Sequence, residues 1–122
     1  RENVGLFADS PLGFGALTGK YLDGLAPANS RLDLFPDFLR HFKPRGVEAT
    51  RRYVDLARSY DLDPAVMAIA FVNSRPFLTS NIIGATTEQQ LLTNLSAEAV
   101  TLEDDILSEI DEIHADIPNP AP

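Results

Sequence analysis

The chain alternates short apolar runs with longer stretches in which apolar residues return every three or four positions. Val4 to Ala8 is a brief apolar run closed by Asp9-Ser10-Pro11, where proline removes a ladder donor and turn chemistry takes over, so it predicts a strand. Leu12 to Arg45 has no sustained period and is broken by glycine and proline; it reads as a long loop with at most a turn of helix at Ala16 to Tyr21. Val47 to Tyr60 carries Val47, Tyr53, Leu56, Ala57 and Tyr60 at helical spacing, with Arg51, Arg52, Asp55 and Arg58 on the other side. Asp63-Pro64 reads as an N-cap followed by proline at the first helical position, and Ala65 to Val72 is then apolar nearly all round, a buried helix ending at Arg75-Pro76.

Phe77 to Ile83 is the second strand, with Ile82-Ile83 suited to burial on both faces. Glu88 to Leu95 predicts a short helix, for which Thr87 and Gln90 fit a capping box, and Thr101 with Asp104 makes a weaker version of the same start. In the last helix Leu102, Ile106, Leu107, Ile110 and Ile113 share a face, opposite Glu103, Asp105, Glu109, Asp111 and Glu112. The tail Pro118-Asn119-Pro120-Ala121-Pro122 cannot continue it. Two strands joined by a helical crossover are expected to be parallel. A sheet of two buried parallel strands asks for more neighbours than this chain holds.

With 122 residues, 44% of them hydrophobic and 23% charged, the chain is sized and composed as one packed domain. A net charge of −8 argues against nucleic acid and anionic membranes as partners. The absence of cysteine removes disulfides and thiolate metal sites, which suits a cytoplasmic setting. No apolar run reaches the roughly 20 residues that cross a bilayer. Arg1-Glu2-Asn3 leads straight into the first strand, from which we expect a piece of a longer protein.

Several familiar chemistries fail on the residues. Gly13 to Tyr21 lacks both the first glycine of a phosphate loop, where Phe14 sits, and its hydroxyl residue, where Tyr21 sits; Thr18 occupies the third glycine of the dinucleotide fingerprint. His41 and His114 form no metal-ligand spacing, so no metal is expected, and no nucleophile elbow is present. The acidic residues of the last helix read as a solvated face. What remains is a site made of helix and strand ends. Gly84 permits close backbone approach after the second strand, Thr86, Thr87 and the following helix start point there, and Gly13, Gly15 and Lys20 follow the first strand. In α/β sheets ligands gather at the C-terminal ends of the strands, so both loops would face one anion; an ordinary strand-to-helix turn fits the same pattern.

Ser10-Pro11-Leu12-Gly13-Phe14-Gly15-Ala16-Leu17-Thr18-Gly19-Lys20-Tyr21 resembles the segment after the seventh strand of the aldo-keto reductases. Ile83-Gly84-Ala85-Thr86-Thr87-Glu88-Gln89-Gln90-Leu91-Leu92-Thr93-Asn94 resembles the segment after their eighth. The likeness covers essentially the whole chain and is greatest to the bacterial Tas-like branch. It implies an α/β fold, the C-terminal third of a (β/α)8 TIM barrel with about two parallel strands and four helices, residues 1–122 forming part of a single barrel domain that is incomplete as an isolated chain. It also implies an oxidoreductase that reduces a small-molecule carbonyl substrate, an aldehyde or ketone, by hydride transfer from NADPH. By the same resemblance Ser10, Leu12 and Lys20 match positions at the cofactor's pyrophosphate or phosphates, and Arg31 a basic position on the flap over it. Gly84, Thr86 and Gln90 match positions around the 2′-phosphate and its ribose, and Asn94 one that reaches the adenine.

Two departures stand out. The family usually has an aromatic residue before the serine matched by Ser10, on which the nicotinamide ring stacks; here that residue is Asp9, which cannot stack. The family's catalytic Tyr, Lys, Asp and His have no counterpart in this chain: Tyr21, Tyr53, Tyr60, Lys43, His41 and His114 do not match those positions, so this chain alone is expected to be inactive. The alternatives are an NADP(H)-binding regulatory subunit and a non-catalytic helical interaction domain. Open sheet edges lead us to expect self-association of the fragment, or disorder, chiefly in Leu22 to Pro44.

Overall fold

Strands Leu6–Asp9 (β1) and Leu78–Ile82 (β2) lie side by side as a two-stranded parallel sheet in the computed structural model, which describes residues 4–24 and 26–121. Arg1 to Asn3 at the start, Leu25 within the expected loop and the final Pro122 of the tail lie outside the described residues. The register pairs Ala8 with Asn81 and Asp9 with Ile82, and shifts between Leu6 and Phe7. β1 begins later than expected: Val4 is 81% exposed and unpaired, and the ladder runs on through Asp9 instead of ending at Ala8.

The crossover between the strands is helical, as the periodicity predicts, and starts three residues before Val47. Helix Arg31–Leu34 (α1) comes first, and helix Pro44–Ser59 (α2) then opens on proline at its first position, where the missing N–H is one that no helical partner would take. Its buried stripe is Gly46, Ala49, Thr50, Val54, Leu56 and Ala57. Tyr60, expected on that stripe, lies past the helix end and is 37% exposed, because its hydroxyl reaches outward to a carboxylate. In helix Pro64–Asn73 (α3) the Asp63 carboxylate accepts from Ala65 N at 2.7 Å and Val66 N at 3.4 Å, the cap read from sequence. Arg75 closes the other end, its Nε donating to Phe71 O at 3.2 Å while its guanidinium lies 4.2 Å over the Phe71 ring.

α3 is apolar all round because it is packed on two sides. Met67 and Ala70 join Leu56 and Ala57 of α2 and Leu102, Ile106, Ile110 and Ile113 in one cluster, whereas Val66 and Ile69 face Ala97 in another. After β2 come helices Glu88–Ser96 (α4) and Asp104–Asp116 (α5). The expected Thr101 start of α5 is displaced. Burial of Leu102 holds the chain extended, Glu103 becomes the N-cap without a side-chain bond, and Asp104 and Asp105 occupy the first turn, where the helix dipole favours them. Leu12 to Arg45 is likewise not a structureless loop. It carries 3-10 turns at Gly13–Thr18 and Arg40–Phe42 besides α1, built on local caps too short to give a hydrophobic period.

Candidate anion-binding site

The parallel register decides what the two loops can do together. Because Asp9 pairs with Ile82 and Ser10 N donates to Ile82 O at 3.2 Å, the chain leaves both strands at the same edge of the sheet. Ser10 turns there with φ 55°, and its carbonyl accepts from Gly13 N at 2.9 Å. Gly13, Phe14 and Gly15 all have positive φ, a local conformation that folds the loop tightly on itself. Leu12 anchors it: its carbonyl accepts from Gly15 N at 3.0 Å and Leu17 N at 3.1 Å, and its side chain packs on the Val66, Ile69 and Ala97 cluster.

Two cations are held against this loop. Lys20 lies along Gly15, where a Cβ would stand 3.2 Å from Nζ, and its ammonium sits 5.0 Å from the Tyr21 ring centroid. Arg31, the first residue of α1, lies 4.9 Å over the Phe14 ring. Phe14 in turn meets Phe38 edge-on at 4.7 Å and His41 at 5.6 Å. Partial burial, and then the Arg40 charge, lower the pKa of His41. Sequence reasoning did not find this ring cluster. Its members are scattered over α1, the 3-10 turns and the link between them that holds Phe38, and the only signal was the density of aromatic residues between Phe14 and Phe42.

The turn after β2 is built from its own polar groups. Thr87 caps α4, its Oγ1 accepting from Gln90 N at 3.1 Å. The reciprocal half of the expected capping box falls one residue earlier: Gln90 Oε1 accepts from Thr86 N and Thr86 Oγ1, both at 3.0 Å. This leaves the Gln90 Nε2 donor and the first-turn N–H groups of Glu88 and Gln89 for an outside acceptor. Asn94 is buried, and its Nδ2 donates to Gly84 O at 3.2 Å, tying the turn to α4. At Gly84 itself a Cβ would meet nothing within 4 Å, so the space beside it is open for a ligand.

The structure therefore brings Ser10, Lys20 and Arg31 to one loop and Gly84, Thr86 and Gln90 to its neighbour, with Leu12 and Asn94 facing inward as anchors. Backbone donors, two cations and an uncrowded glycine suit a ligand carrying more than one phosphate. An open groove of about 350 Å³ between α2 and α5 includes none of these residues; it is lined by groups such as Arg52, Ser59 and Glu112. Among the described residues no group of three or more His, Asp or Glu stands close enough to hold a metal, and no helix is long and apolar enough to cross a membrane.

Comparison with known proteins gives the family. A family model described as "Aldo/keto reductase family" matches residues 1–115. The chain is 48% identical to "Protein tas" of Escherichia coli K12 over 99% of its length, 33% identical to an "Aldo-keto reductase" of Babesia bovis over 91%, and 32% identical to the K12 "L-glyceraldehyde 3-phosphate reductase" over 94%. It spans 35%, 41% and 35% of those relatives' own lengths. Two parallel strands with helices between and after them fit part of a (β/α)8 barrel of that length. With a family match over residues 1–115 and 48% identity to a relative over 99% of its length, the chain belongs to the aldo/keto reductase family.

Proposed function

We propose that residues 1–122 form the C-terminal part of a single (β/α)8 barrel domain, and that this part binds the phosphates and adenine of NADPH for an oxidoreductase that reduces aldehydes or ketones in the cytoplasm. The observation that carries the reading is the hydrogen bond between Ser10 N and Ile82 O, which makes the two glycine-bearing turns neighbours at one sheet edge. Ser10 and Lys20, with Arg31 above them, take the pyrophosphate, and Thr86, Gln90 and the α4 start take the 2′-phosphate. Gly84 gives the close approach, and Leu12 and Asn94 hold the two loops in position. Asn94, matched by resemblance to a position that reaches the adenine, is buried and bonded to Gly84 O, so on this reading it serves the adenine end by holding the turn.

The cofactor supplies the hydride. The residues of this chain bind and orient, and none of them is assigned to proton donation, so the segment alone is expected to be inactive. Relatives described as potassium channel subunits beta, 38% identical in Oryza sativa, favour a second reading in which nucleotide binding serves regulation. Both readings share the same site.

The test is titration of the protein at its full natural length with NADPH and NADH. NADPH is expected to bind more tightly, and changing Thr86 and Gln90 together to alanine should erode that preference by about 10-fold, the worth of hydrogen bonds to a charged phosphate. No binding of NADPH, or an unchanged preference, overturns the reading.

A further inference from the structure

β1 ends on a carboxylate in an unusual position. Along a strand successive side chains face opposite sides. Ala8 and Asn81 are partners and face the helices, since Asn81 Nδ2 donates to Asn73 Oδ1 of α3 at 3.1 Å. Their neighbours Asp9 and Ile82, paired one step further on, therefore face the other side. On that side, among the described residues, Phe7 is 66% and Ile82 52% exposed, and Asp9 is exposed with them; in a (β/α)8 barrel this side faces the barrel axis. Asp9 thus stands on the free face of the sheet, at the rim, beside the loop that starts at Ser10.

A dinucleotide with one end on the α4 turn and its pyrophosphate on the Ser10 loop has to continue somewhere. The helix side is filled by Leu12 and Ile83 packed on Val66, Ile69 and Ala97. Lys20 and Arg31 lie over the Tyr21 and Phe14 rings of the loop. In a (β/α)8 barrel ligands sit over the C-terminal ends of the strands, so the remaining direction runs across those strand ends, past Asp9. The far end of the molecule is a nicotinamide ring, which carries a positive charge when oxidised and none once it holds the hydride. A carboxylate beside it distinguishes those two states by Coulomb attraction.

We infer that Asp9 biases the site toward the oxidised cofactor, binding NADP+ more tightly relative to NADPH than a neutral residue would. This rests on the dinucleotide reading above. When bound, the cofactor would supply a hydride to the carbonyl carbon and be left with a cationic ring, the alcohol's proton coming from water or from groups outside these 122 residues. Asp9 stabilises the cation so formed, and thereby favours carbonyl reduction over its reverse at the bound cofactor.

The experiment measures dissociation constants of both NADP+ and NADPH, at low salt, for the protein at full natural length and for Asp9→Asn, Asp9→Ala and Asp9→Glu. At contact distance in a solvent-exposed site the attraction is worth about 5-fold in affinity. Asp9→Asn and Asp9→Ala should therefore weaken NADP+ relative to NADPH by roughly that factor, Asp9→Glu should restore the bias, and added salt should shrink it. If both nucleotides bind and the ratio is the same in all four proteins, the role of Asp9 is overturned while the site stands. If neither nucleotide binds the unaltered protein, the dinucleotide reading fails and this inference fails with it.

Discussion

At Gly19 the backbone has φ 80°, and a Cβ there would stand 3.2 Å from both methyl carbons of Val54, a side chain with no exposure. Gly24 has a similar φ of 76°, but nothing lies within 4 Å of its would-be Cβ. Alanine at Gly24 meets the conformational penalty alone, about 1 kcal/mol, whereas alanine at Gly19 meets that and a clash with a closed core, together about 2–3 kcal/mol. Urea unfolding of the two single variants is expected to rank them in that order, and equal midpoints would remove Val54 from the account. The glycines around Lys20 were legible as loop punctuation. Which of them sits against the core was not, because Val54 approaches from a helix far along the chain. The site divides in the same way. Ser10, Gly84, Thr86 and Gln90 are local signals of strand ends and caps, readable from neighbours in sequence. The Asn94 to Gly84 bond and the stacking of Arg31 on Phe14 depend on how loops fold back, which no spacing rule contains.

Helices α2 and α5 lie antiparallel and are joined on their outer side by two contacts: Arg52 Nη1 meets Asp116 Oδ2 at 2.9 Å, and Tyr60 Oη donates to Glu109 Oε1 at 2.7 Å. The ion pair is largely exposed, 38% and 64%, and contributes little. The phenol bond has a pH signature. The Glu109 acceptor first, then burial, then the charges of Glu109, Asp105 and Glu103, push the Tyr60 pKa from 10.0 up to about 12. The folded state therefore holds this proton where the unfolded chain has lost it. The contribution is complete below the unfolded value of 10.0 and is lost as pH rises through about 12. Ultraviolet titration should show a tyrosine ionising late, and Tyr60→Phe should abolish that phase while leaving the late ionisation of Tyr53, which burial raises as well. A late phase that survives in Tyr60→Phe at full amplitude would detach Tyr60 from Glu109. At this scale the sequence reading served best where a helix has a cap and a stripe, as in α3 and α5. It served least in α1 and the 3-10 turns, which are too short to have a period and are held by single hydrogen bonds.

Apolar surface is exposed around the sheet, along α4 and at Leu34, Phe35, Phe38 and Leu39. On the sheet Phe7 is 66% exposed and Ile82 52%, with Phe77 just before β2 at 62%, and among the described residues each strand has a single ladder neighbour; on α4 Leu91, Leu92 and Leu95 are 43%, 55% and 55% exposed. Buried parallel strands ordinarily have neighbours on both sides and helices over them. The alternation of elements made the parallel pairing legible. It also showed the shortage of strands, because a two-stranded sheet cannot satisfy its own edges. The consequence expected for this polypeptide of 122 residues is association. Unpaired strand edges beside exposed aromatic and aliphatic side chains form a template for a second copy, and the net charge of −8 opposes contact only until salt screens it. Sedimentation of the 122-residue chain is expected to show mass rising with concentration, more steeply at high salt than at low. Serine at both Phe7 and Ile82 should return it toward the monomer, since it removes apolar area from the free face without touching the α3 side. A monomer at every concentration and salt would mean that these faces are satisfied within one chain, and the sheet would then have to pack differently from the arrangement that places Asp9 at an open rim.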